Sequence, residues 1–337
     1  MTEDENAGRE LIRLMTGPWV ARSVATAVRL GVVDRLAEGA ADAEEIAGAL
    51  GLHPDRLHRL LRLLSAVDLV QPRAGRYELT GTGAGLQRKH PSRLRDLVLL
   101  YDSGMFARAW GSLEESVRTG RTAFEAAHGT DVFTYLSEHP GDAERYSAGI
   151  AAGGRFGKAL PAVYDFADAT VVADLGGGDG DLLCTVLDHA PHLRGVLVER
   201  PTALPAASER LSAHLESGRA TLVAGDFLES VPSGADVHIL SRVLHNWSDD
   251  EARAVLRRSR EALEPGGRVL ILERILPDDG SPLLASLFDV HMMVMTSGAE
   301  RTEHQYEALL RDAGLTTERV ADLSLEMRLL VAAPLRG

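Results

Sequence analysis

From about residue 170 onward, short apolar runs alternate with segments whose apolar residues recur at helical spacing. The runs are ATVVADL, LRGVLVE, RATLVAGD, ADVHILS and GRVLILER, and the helical segments between them cover residues 180–190, 203–216 and 249–264. Runs rich in Val, Ile and Leu are typical of strands buried on both faces, and strands that alternate with helices form βαβ units. The sequence therefore predicts an α/β fold with a doubly wound, Rossmann-like and mostly parallel sheet.

The first half of the chain is predicted to be helical from residue 10 to about 165. Within it, a helix over 42–50, a turn, a helix over 54–67 and strands around DLVQ and RYELT predict a winged-helix arrangement. DNA binding is one interpretation, because residues 51–100 carry nine Lys and Arg against four Asp and Glu, a local charge of +5. The whole chain carries −13, so the remainder carries −18 and would repel a duplex. A scaffold or dimer-forming role without a nucleic-acid partner is therefore favoured.

Length, cysteine content and hydropathy narrow the class of protein further. A chain of 337 residues predicts two domains. The single cysteine, Cys184, excludes an intrachain disulfide and favours a reducing compartment. The N-terminal segment is acidic and lacks the apolar core of a signal peptide, and no run reaches the roughly 18 apolar residues of a membrane span. We therefore expect a cytoplasmic protein with no membrane partner.

Polar residues at the ends of the predicted strands are candidate ligand contacts, because doubly wound sheets bind ligands outside the carboxyl ends of their strands. The glycine turn after the first strand departs from the dinucleotide fingerprint, since the Asp181 carboxylate stands at its third position and would repel a pyrophosphate. Glu199, after the second strand, suits a ribose diol. Asp226 and Phe227, after the third, suit the amino group and the face of adenine. Together with the acidic loop, these residues predict S-adenosylmethionine (SAM), which has a cationic sulfonium.

The fourth predicted strand leads to a candidate general base, His245. The base comes just before Ser248, which begins a capping box for the next helix, and the following strand ends in Glu273. An imidazole oriented by a carboxylate is a common general-base arrangement. The histidines and aspartates show no metal-ligand spacing, so no metal site is expected.

Four motifs resemble segments of one known family: DLGGGDG, LHNWSDDEA, LEPGGRVLILERILP and GAERTEHQYEALL. They are similar to class I SAM-dependent O-methyltransferases of small molecules, which include plant caffeate- and flavonoid-type enzymes and actinobacterial enzymes acting on polyketides and antibiotics. The resemblance covers nearly the whole chain. It implies a winged-helix-like dimerisation domain (1–100), connecting helices that form a substrate lid (101–165), a SAM-binding catalytic domain (166–337), and a homodimer formed through the N-terminal domain.

The resemblance also implies roles for individual residues. His245 matches the general base, and Glu273 and Glu300 match the acids that flank and orient it. The residues implied to bind the cofactor are Arg155 (at the methionine carboxylate), Asp174, Gly176, Gly178, Glu199, Asp226, Phe227 and Ser241. The expected acceptor contacts are Asn246, Asp289, Met292, Met293, Trp110 and Met105. Two positions depart from the plant pattern, since Ser241 replaces a lysine and Asn246 replaces an aspartate.

These features predict methyl transfer from SAM to a hydroxyl group of a small natural product such as an aromatic polyketide. A phenolic hydroxyl is the favoured acceptor. Two alternatives remain. One is an enzyme of the same fold that binds SAM but decarboxylates or hydroxylates a similar substrate, and the pairing of His245 with Glu273 argues against it. The other is a non-enzymatic regulator that uses the winged helix on DNA, for which the base and the cofactor-binding acids would be superfluous.

Overall fold

The computed structural model describes residues 3–277, 283–324 and 326–335, and the side chains of Glu3 and Arg155 are outside the described set. The chain divides into two compact units. Unit 1 comprises Met1–Ala107 and Glu144–Gly153, and unit 2 comprises Arg108–Ala143 and Gly154–Gly337. The three domain boundaries implied by the resemblance stay a prediction.

Unit 1 is helical with one small hairpin. Its elements are α1 (Glu3–Arg29), α2 (Val32–Ala37), α3 (Ala43–Leu50), α4 (Pro54–Ala66), β1 (Val70–Arg73), β2 (Arg76–Leu79), α5 (Gly81–Ala84), α6 (Leu94–Tyr101) and parts of α7 (Gly104–Gly111) and α11 (Pro140–Gly153). A reciprocal capping box between Asp42 and Glu45 begins α3, and Pro54 occupies the first turn of α4. Antiparallel pairing of β1 with β2 completes the wing, so the winged-helix prediction is confirmed.

The first helix presents a large apolar surface to solvent. Its exposed apolar side chains are Leu11, Ile12, Leu14, Met15 and Trp19. Large apolar side chains clustered on one exposed helix are typical of an interface with another chain or ligand.

Unit 2 alternates helices with the strands of one sheet. Its elements are α8 (Leu113–Thr119), α9 (Ala123–His128), α10 (Val132–Glu138), a 3-10 helix (Arg155–Ala159), α12 (Leu160–Val163), β3 (Val171–Leu175), α13 (Asp181–His189), β4 (Arg194–Glu199), α14 (Leu204–Arg210), α15 (Ser212–Glu216), β5 (Ala220–Ala224), β6 (Ala235–Ser241), a 3-10 turn (Leu244–Asn246), α16 (Asp249–Ala262), β7 (Leu263–Leu276), α17 (Leu283–Met295), β8 (Arg301–Thr302), α18 (Glu303–Asp312), β9 (Leu315–Asp322) and β10 (Met327–Pro334). The five predicted strands correspond to β3–β7, so the predicted fold is confirmed.

The sheet has the order β5-β4-β3-β6-β7-β10-β9, with β8 paired to β7. Neighbours from β5 to β7 run parallel, whereas β10 is antiparallel to both β7 and β9. The chain passes from β3 to β4 and β5 on one side and returns with β6 on the other side of β3. The carboxyl ends of β3 and β6 therefore meet where the strand order reverses, which is the usual ligand position in such sheets.

Apolar cores lie on both faces of this sheet. Val237 and Ile239 of β6 pack on one face, and Leu240 of the same strand packs on the other. Burial on both faces explains why these strands are continuous apolar runs in the sequence. Among the described residues, no helix is both long enough and apolar enough to cross a bilayer.

Candidate active site

The glycine loop after β3 passes close to neighbouring elements. Gly176 has a φ of 76°, and a Cβ there would lie 3.0 Å from both Phe227 and Val243. A Cβ on Gly177 would lie 2.6 Å from a carboxylate oxygen of Asp174. The first glycine is therefore required by both a left-handed backbone and close packing, and the second by close packing alone.

Asp174 is fully buried directly beneath this loop. Among the described residues, neither of its carboxylate oxygens has a hydrogen-bond partner. Burial, followed by the charges of Glu199 and Asp179, raises the pKa of Asp174 to about 7. A buried carboxyl group without a hydrogen-bond donor is a favourable neighbour for a cation, which fits a site for a sulfonium-containing ligand.

Glu199 connects the end of β4 to the glycine loop. Its Oε2 accepts the N–H of Gly178 at 3.0 Å, and its Oε1 accepts the N–H of Arg200 at 2.7 Å. Each oxygen keeps a further lone pair, so the carboxylate can also accept hydroxyl groups of a ribose. The hydrogen bond to Gly178 brings two predicted cofactor residues together.

An aromatic cluster lies beside Phe227. Its ring meets Trp247 edge-on at 6.2 Å, and Trp247 stacks on Phe133 of α10 at 5.4 Å. The guanidinium of Arg200 lies 4.6 Å from the centre of the Phe133 ring and 3.8 Å from the Asp226 carboxylate. This surface can take the flat face of adenine, with Asp226 at its edge. Phe133 and Arg200 were not among the predicted site residues, because neither lies in one of the four family-like motifs.

The acidic side chains of the loop are partly neutralised by Arg210 of α14. Its guanidinium lies 3.2 Å from Asp179 and 3.6 Å from Asp181. Asp179 is part of the acidic loop that was predicted to suit the cation of the ligand, and it also has a counter-ion within the protein. Among the side chains that the structure describes, Asp174 and Glu199 have no such ion pair, and their contact with a ligand stays a prediction.

His245 lies in the 3-10 turn after β6, between two buried glutamates. Its Nδ1 lies 3.0 Å from Oε1 of Glu300 and 3.5 Å from Oε2 of Glu273. Oε1 of Glu273 also accepts the backbone N–H groups of Val243 and Leu244, both at 2.9 Å. Because both carboxylates approach Nδ1, that atom carries the ring proton, and Nε2 is the proton-accepting atom of the neutral ring.

The electrostatics of this cluster favour a charged imidazole. Burial alone lowers the pKa of His245, but the charges of Glu273 and Glu300 and the hydrogen bond that Nδ1–H donates to Glu300 outweigh it, so the pKa is raised. Burial raises the pKa of Glu273, partly offset by the histidine. The arrangement therefore stabilises the imidazolium that forms when His245 accepts a proton.

Two predicted acceptor contacts make hydrogen bonds within the protein. The side-chain amide of Asn246 donates to the carbonyl of Arg242 at 2.9 Å. The carboxylate of Asp289 accepts the backbone N–H of Glu300 at 3.1 Å. Both bonds support the elements that surround His245, and a contact of either side chain with an acceptor stays a prediction.

The other predicted acceptor residues fall into two groups. Trp110 stacks on His291 of α17 at 6.1 Å, and the rings of His291 and Phe288 are nearly perpendicular. Burial lowers the pKa of His291 to about 4, so this ring is neutral near pH 7. On the same helix Met292 is buried and Met293 partly exposed. Buried Met105 belongs to unit 1.

Ser241 and Arg155 are the last two of the predicted cofactor residues. Ser241 is half-buried at the end of β6, and Arg155 begins the 3-10 helix, with its side chain outside the described set. The ligand atoms of His245, Glu273 and Glu300 lie within 4.8 Å of one another, which is close enough for a metal ion. The absence of a metal site thus stays a prediction.

Comparison with known families places these features in one group of enzymes. Residues 110–316 match the O-methyltransferase domain family, and residues 12–87 match the O-methyltransferase dimerisation domain family. The first match covers more than half of the chain and contains the glycine loop, the aromatic cluster and the His245 site.

Relatives match along almost the whole length. The 3-amino-4-hydroxybenzoate 4-O-methyltransferase of Streptomyces cremeus is 40% identical over 97% of this chain and 90% of its own. The aclacinomycin 10-hydroxylase RdmB of Streptomyces purpurascens is 35% identical over 88% and 80%. A solved structure of the neocarzinostatin O-methyltransferase NcsB1, with SAM and 2-hydroxy-5-methyl naphthoic acid, is 32% identical, has a TM-score of 0.78 and covers 94% of this chain and 96% of that one. The chain belongs to the SAM-dependent O-methyltransferase family.

Proposed function

We propose that this enzyme methylates a phenolic hydroxyl group of a small aromatic natural product, with His245 as the general base. The observation that carries the proposal is the 3.0 Å contact between His245 Nδ1 and Glu300. This base lies after β6, and the glycine loop lies after β3, at adjacent strand ends of the sheet. An acceptor beside the base is thereby close to the proposed cofactor site.

The cofactor site is proposed to use residues at the carboxyl ends of β3, β4, β5 and β6. Glu199 accepts the ribose hydroxyls, Asp226 and Phe227 contact adenine, and the glycine loop with Asp174 lies along the methionine part. Ser241 and Arg155 are proposed to complete the site. SAM, when bound, supplies an electrophilic methyl group.

His245 is proposed to remove the acceptor proton. A phenol with a pKa near 10 is only about one-thousandth ionised at pH 7, so a positioned base accelerates its reaction by roughly 10²- to 10⁴-fold. Nε2 takes the proton, while Glu273 and Glu300 hold the ring and stabilise the resulting positive charge. Alignment of the acceptor oxygen with the methyl group would contribute several kcal/mol more.

The acceptor is proposed to be a hydroxylated aromatic acid. Two relatives have names or bound ligands of this class, 3-amino-4-hydroxybenzoate and 2-hydroxy-5-methyl naphthoic acid. In this chain Trp110 and His291 offer an aromatic wall, and Met292 and Met293 offer polarisable contacts to a flat ring, whereas an acceptor contact of Met105 stays a prediction. Asn246 and Asp289 are proposed to approach polar groups of the acceptor.

The assembly is proposed to be a homodimer formed through the N-terminal unit. The matched dimerisation domain and the exposed apolar side chains of α1 support this arrangement. A cytoplasmic location also stays a prediction, consistent with the single cysteine.

The test is an assay of the purified protein with methyl-labelled SAM and a panel of hydroxylated aromatic acids. Each acid is paired with its methyl ether as a control that lacks the reactive hydroxyl. We expect label on the phenolic oxygen and none on the ethers. A substrate that loses carbon dioxide or gains oxygen without taking label would instead support the decarboxylase or hydroxylase alternative, which the hydroxylase among the relatives keeps relevant.

A further inference from the structure

We propose that Arg301 is a positioning residue for the base, which fixes the segment that carries Glu300 against the turn that carries His245. This inference rests on the proposed function of His245. We call residues 296–301 the Glu300 segment and residues 243–248 the His245 turn. The role of Arg301 follows from its contacts with that turn.

The guanidinium of Arg301 bonds to the His245 turn on both sides of the base. Nη1 donates to the carbonyl of Leu244 at 2.9 Å, and Nη2 donates to the carbonyl of Trp247 at 2.8 Å. Nε donates to the carboxylate of Asp249 at 2.9 Å. The planar group thus uses three donors at once, and a single ammonium group cannot reproduce that geometry.

Because Arg301 is buried, loss of its hydrogen bonds would be costly. Arg301 is only 3% exposed. Leu244 begins a single 3-10 turn and Trp247 follows it. The carbonyl of Leu244 also accepts the backbone N–H of Trp247 at 3.3 Å, a longer bond than the one from Arg301. Removal of the guanidinium would take the Arg301 bonds from both carbonyls and leave that of Leu244 with only the longer backbone bond, so the turn and the Glu300 segment would be held together less firmly.

Two further contacts hold the Glu300 segment, one against the His245 turn and one against α17. A Cβ on Gly298 would lie 1.9 Å from the carbonyl oxygen of His245, so the two backbones are in direct contact. Asp289 of α17 holds the N–H of Glu300 at 3.1 Å. Arg301 supplies the side-chain connection from the segment to both sides of the turn.

This packing fixes the distance between the Glu300 carboxylate and the imidazole of His245. A loosened segment would weaken the 3.0 Å hydrogen bond to Nδ1 and reduce the positive shift in the pKa of His245. The charged and titratable groups that act on His245, or respond to it, are Glu273 on β7, Glu300 in its segment, Arg242 after β6 and His291 on α17. Arg301 acts on the base through the position of Glu300.

The experiment compares Arg301→Met and Arg301→Lys with the control Arg253→Met. Arg253 also pairs with Asp249, at 3.7 Å, but its other partners are Asp250 and Asp312 on the surface. We expect Arg301→Met to lower kcat by about 10- to 100-fold and to move the acidic limb of the kcat profile to lower pH. Arg301→Lys should show the same shift, and the KM for SAM should change little. Arg253→Met should behave as the wild type.

A double-mutant cycle with Glu300→Gln separates positioning from general stability. If Arg301 acts through Glu300, Arg301→Met adds no further pH shift in the Glu300→Gln background. Three results would overturn the proposal. Arg301→Met could lower Tm and kcat without moving the pH profile, or Arg301→Lys could restore the full wild-type profile. The pH shifts of Arg301→Met and Glu300→Gln could also add in the double variant. Asp249→Asn, which loosens one of the three bonds, should give a smaller shift in the same direction even if Arg301→Met does not fold. Wild-type activity in His245→Gln would refute His245 as the base. This result distinguishes a failure of the proposed function from a failure of the proposed role of Arg301.

Discussion

The Nδ1 atom of His245 lies 3.0 Å from a carboxylate oxygen of Glu300, and both side chains are buried. Glu300 comes 55 residues later in the chain and reaches the base from the segment before β8. With Glu273 on the other side, this relationship determines the protonation state of the ring and therefore the pH range in which it can accept a proton.

Glu300→Gln should lower the pKa of His245, because one of the two charges that raise it is removed. A base is active when neutral, so the acidic limb of the kcat profile should move to lower pH. The kcat on the plateau should fall, since the imidazolium loses a stabilising charge. The check is kcat from pH 5 to 9 at saturating substrates, and an unchanged or upward-shifted limb would refute this electrostatic role.

Asp174→Asn should change how stability depends on pH in the cofactor-free protein. The folded state keeps the Asp174 proton up to about pH 7, whereas the unfolded chain loses it near pH 3.9. The contribution of Asp174 to the free energy of unfolding therefore falls as the pH rises from about 4 to 7. Asparagine does not ionise, so the stability of the variant relative to wild type should rise over that interval, by up to about 4 kcal/mol. Urea unfolding at several pH values measures this, and parallel curves would refute the buried-carboxyl assignment.

Glu199→Gln should weaken SAM binding without affecting the fold. The carboxylate bonds to the loop N–H of Gly178 and is proposed to accept the ribose hydroxyls. Charged hydrogen bonds are roughly twice as strong as neutral ones, so we expect at least about a tenfold higher Kd. Calorimetric titration measures the Kd, with Glu209→Gln on the exposed side of α14 as the matched control. Equal affinity in the two variants would remove Glu199 from the site.

Trp110→Ala should raise the KM for the acceptor and leave the Kd for SAM unchanged. The indole stacks on His291 and is proposed to form the aromatic wall of the acceptor site. Loss of such a ring removes about 0.5–1.5 kcal/mol of stacking beyond its buried area, which is a several-fold change in KM. Steady-state kinetics with each substrate varied in turn separates the two effects. A change confined to SAM binding would place Trp110 on the cofactor side.

The sequence predicts the parallel part of the sheet well because its strands are buried on both faces. The apolar pattern of β6 and β7 and the capping box at Ser248 have local causes that a single sequence displays. The segment 203–216 is less regular, and it forms two helices that meet at Leu211. The antiparallel strands β9 and β10 were not predicted, since no glycine turn or helix separates them as in a βαβ unit.

Site residues that directly follow a strand can be predicted from the sequence. Residues whose role depends on contacts with distant parts of the chain cannot. His245 and Glu199 stand directly after apolar runs, which makes them visible in the sequence. Arg301 and Arg210 look like ordinary charged residues in the sequence. Only the fold shows that Arg301 bonds to the His245 turn and that Arg210 pairs with the acidic side chains of the glycine loop. Asn246 and Asp289 were expected at the acceptor, and their observed bonds are with the backbone of the protein.

The central claim is that His245 removes a proton from a phenolic acceptor. The most direct test measures kcat for wild type and His245→Gln with two matched phenols, one with a pKa near 10 and one acidified by electron-withdrawing groups until it is ionised at the assay pH. Saturation with SAM is verified for both proteins. We predict a loss of roughly 10²- to 10⁴-fold for the first phenol and little loss for the second. An equal loss with both phenols, or no loss with either, would contradict the assignment of His245 as the base.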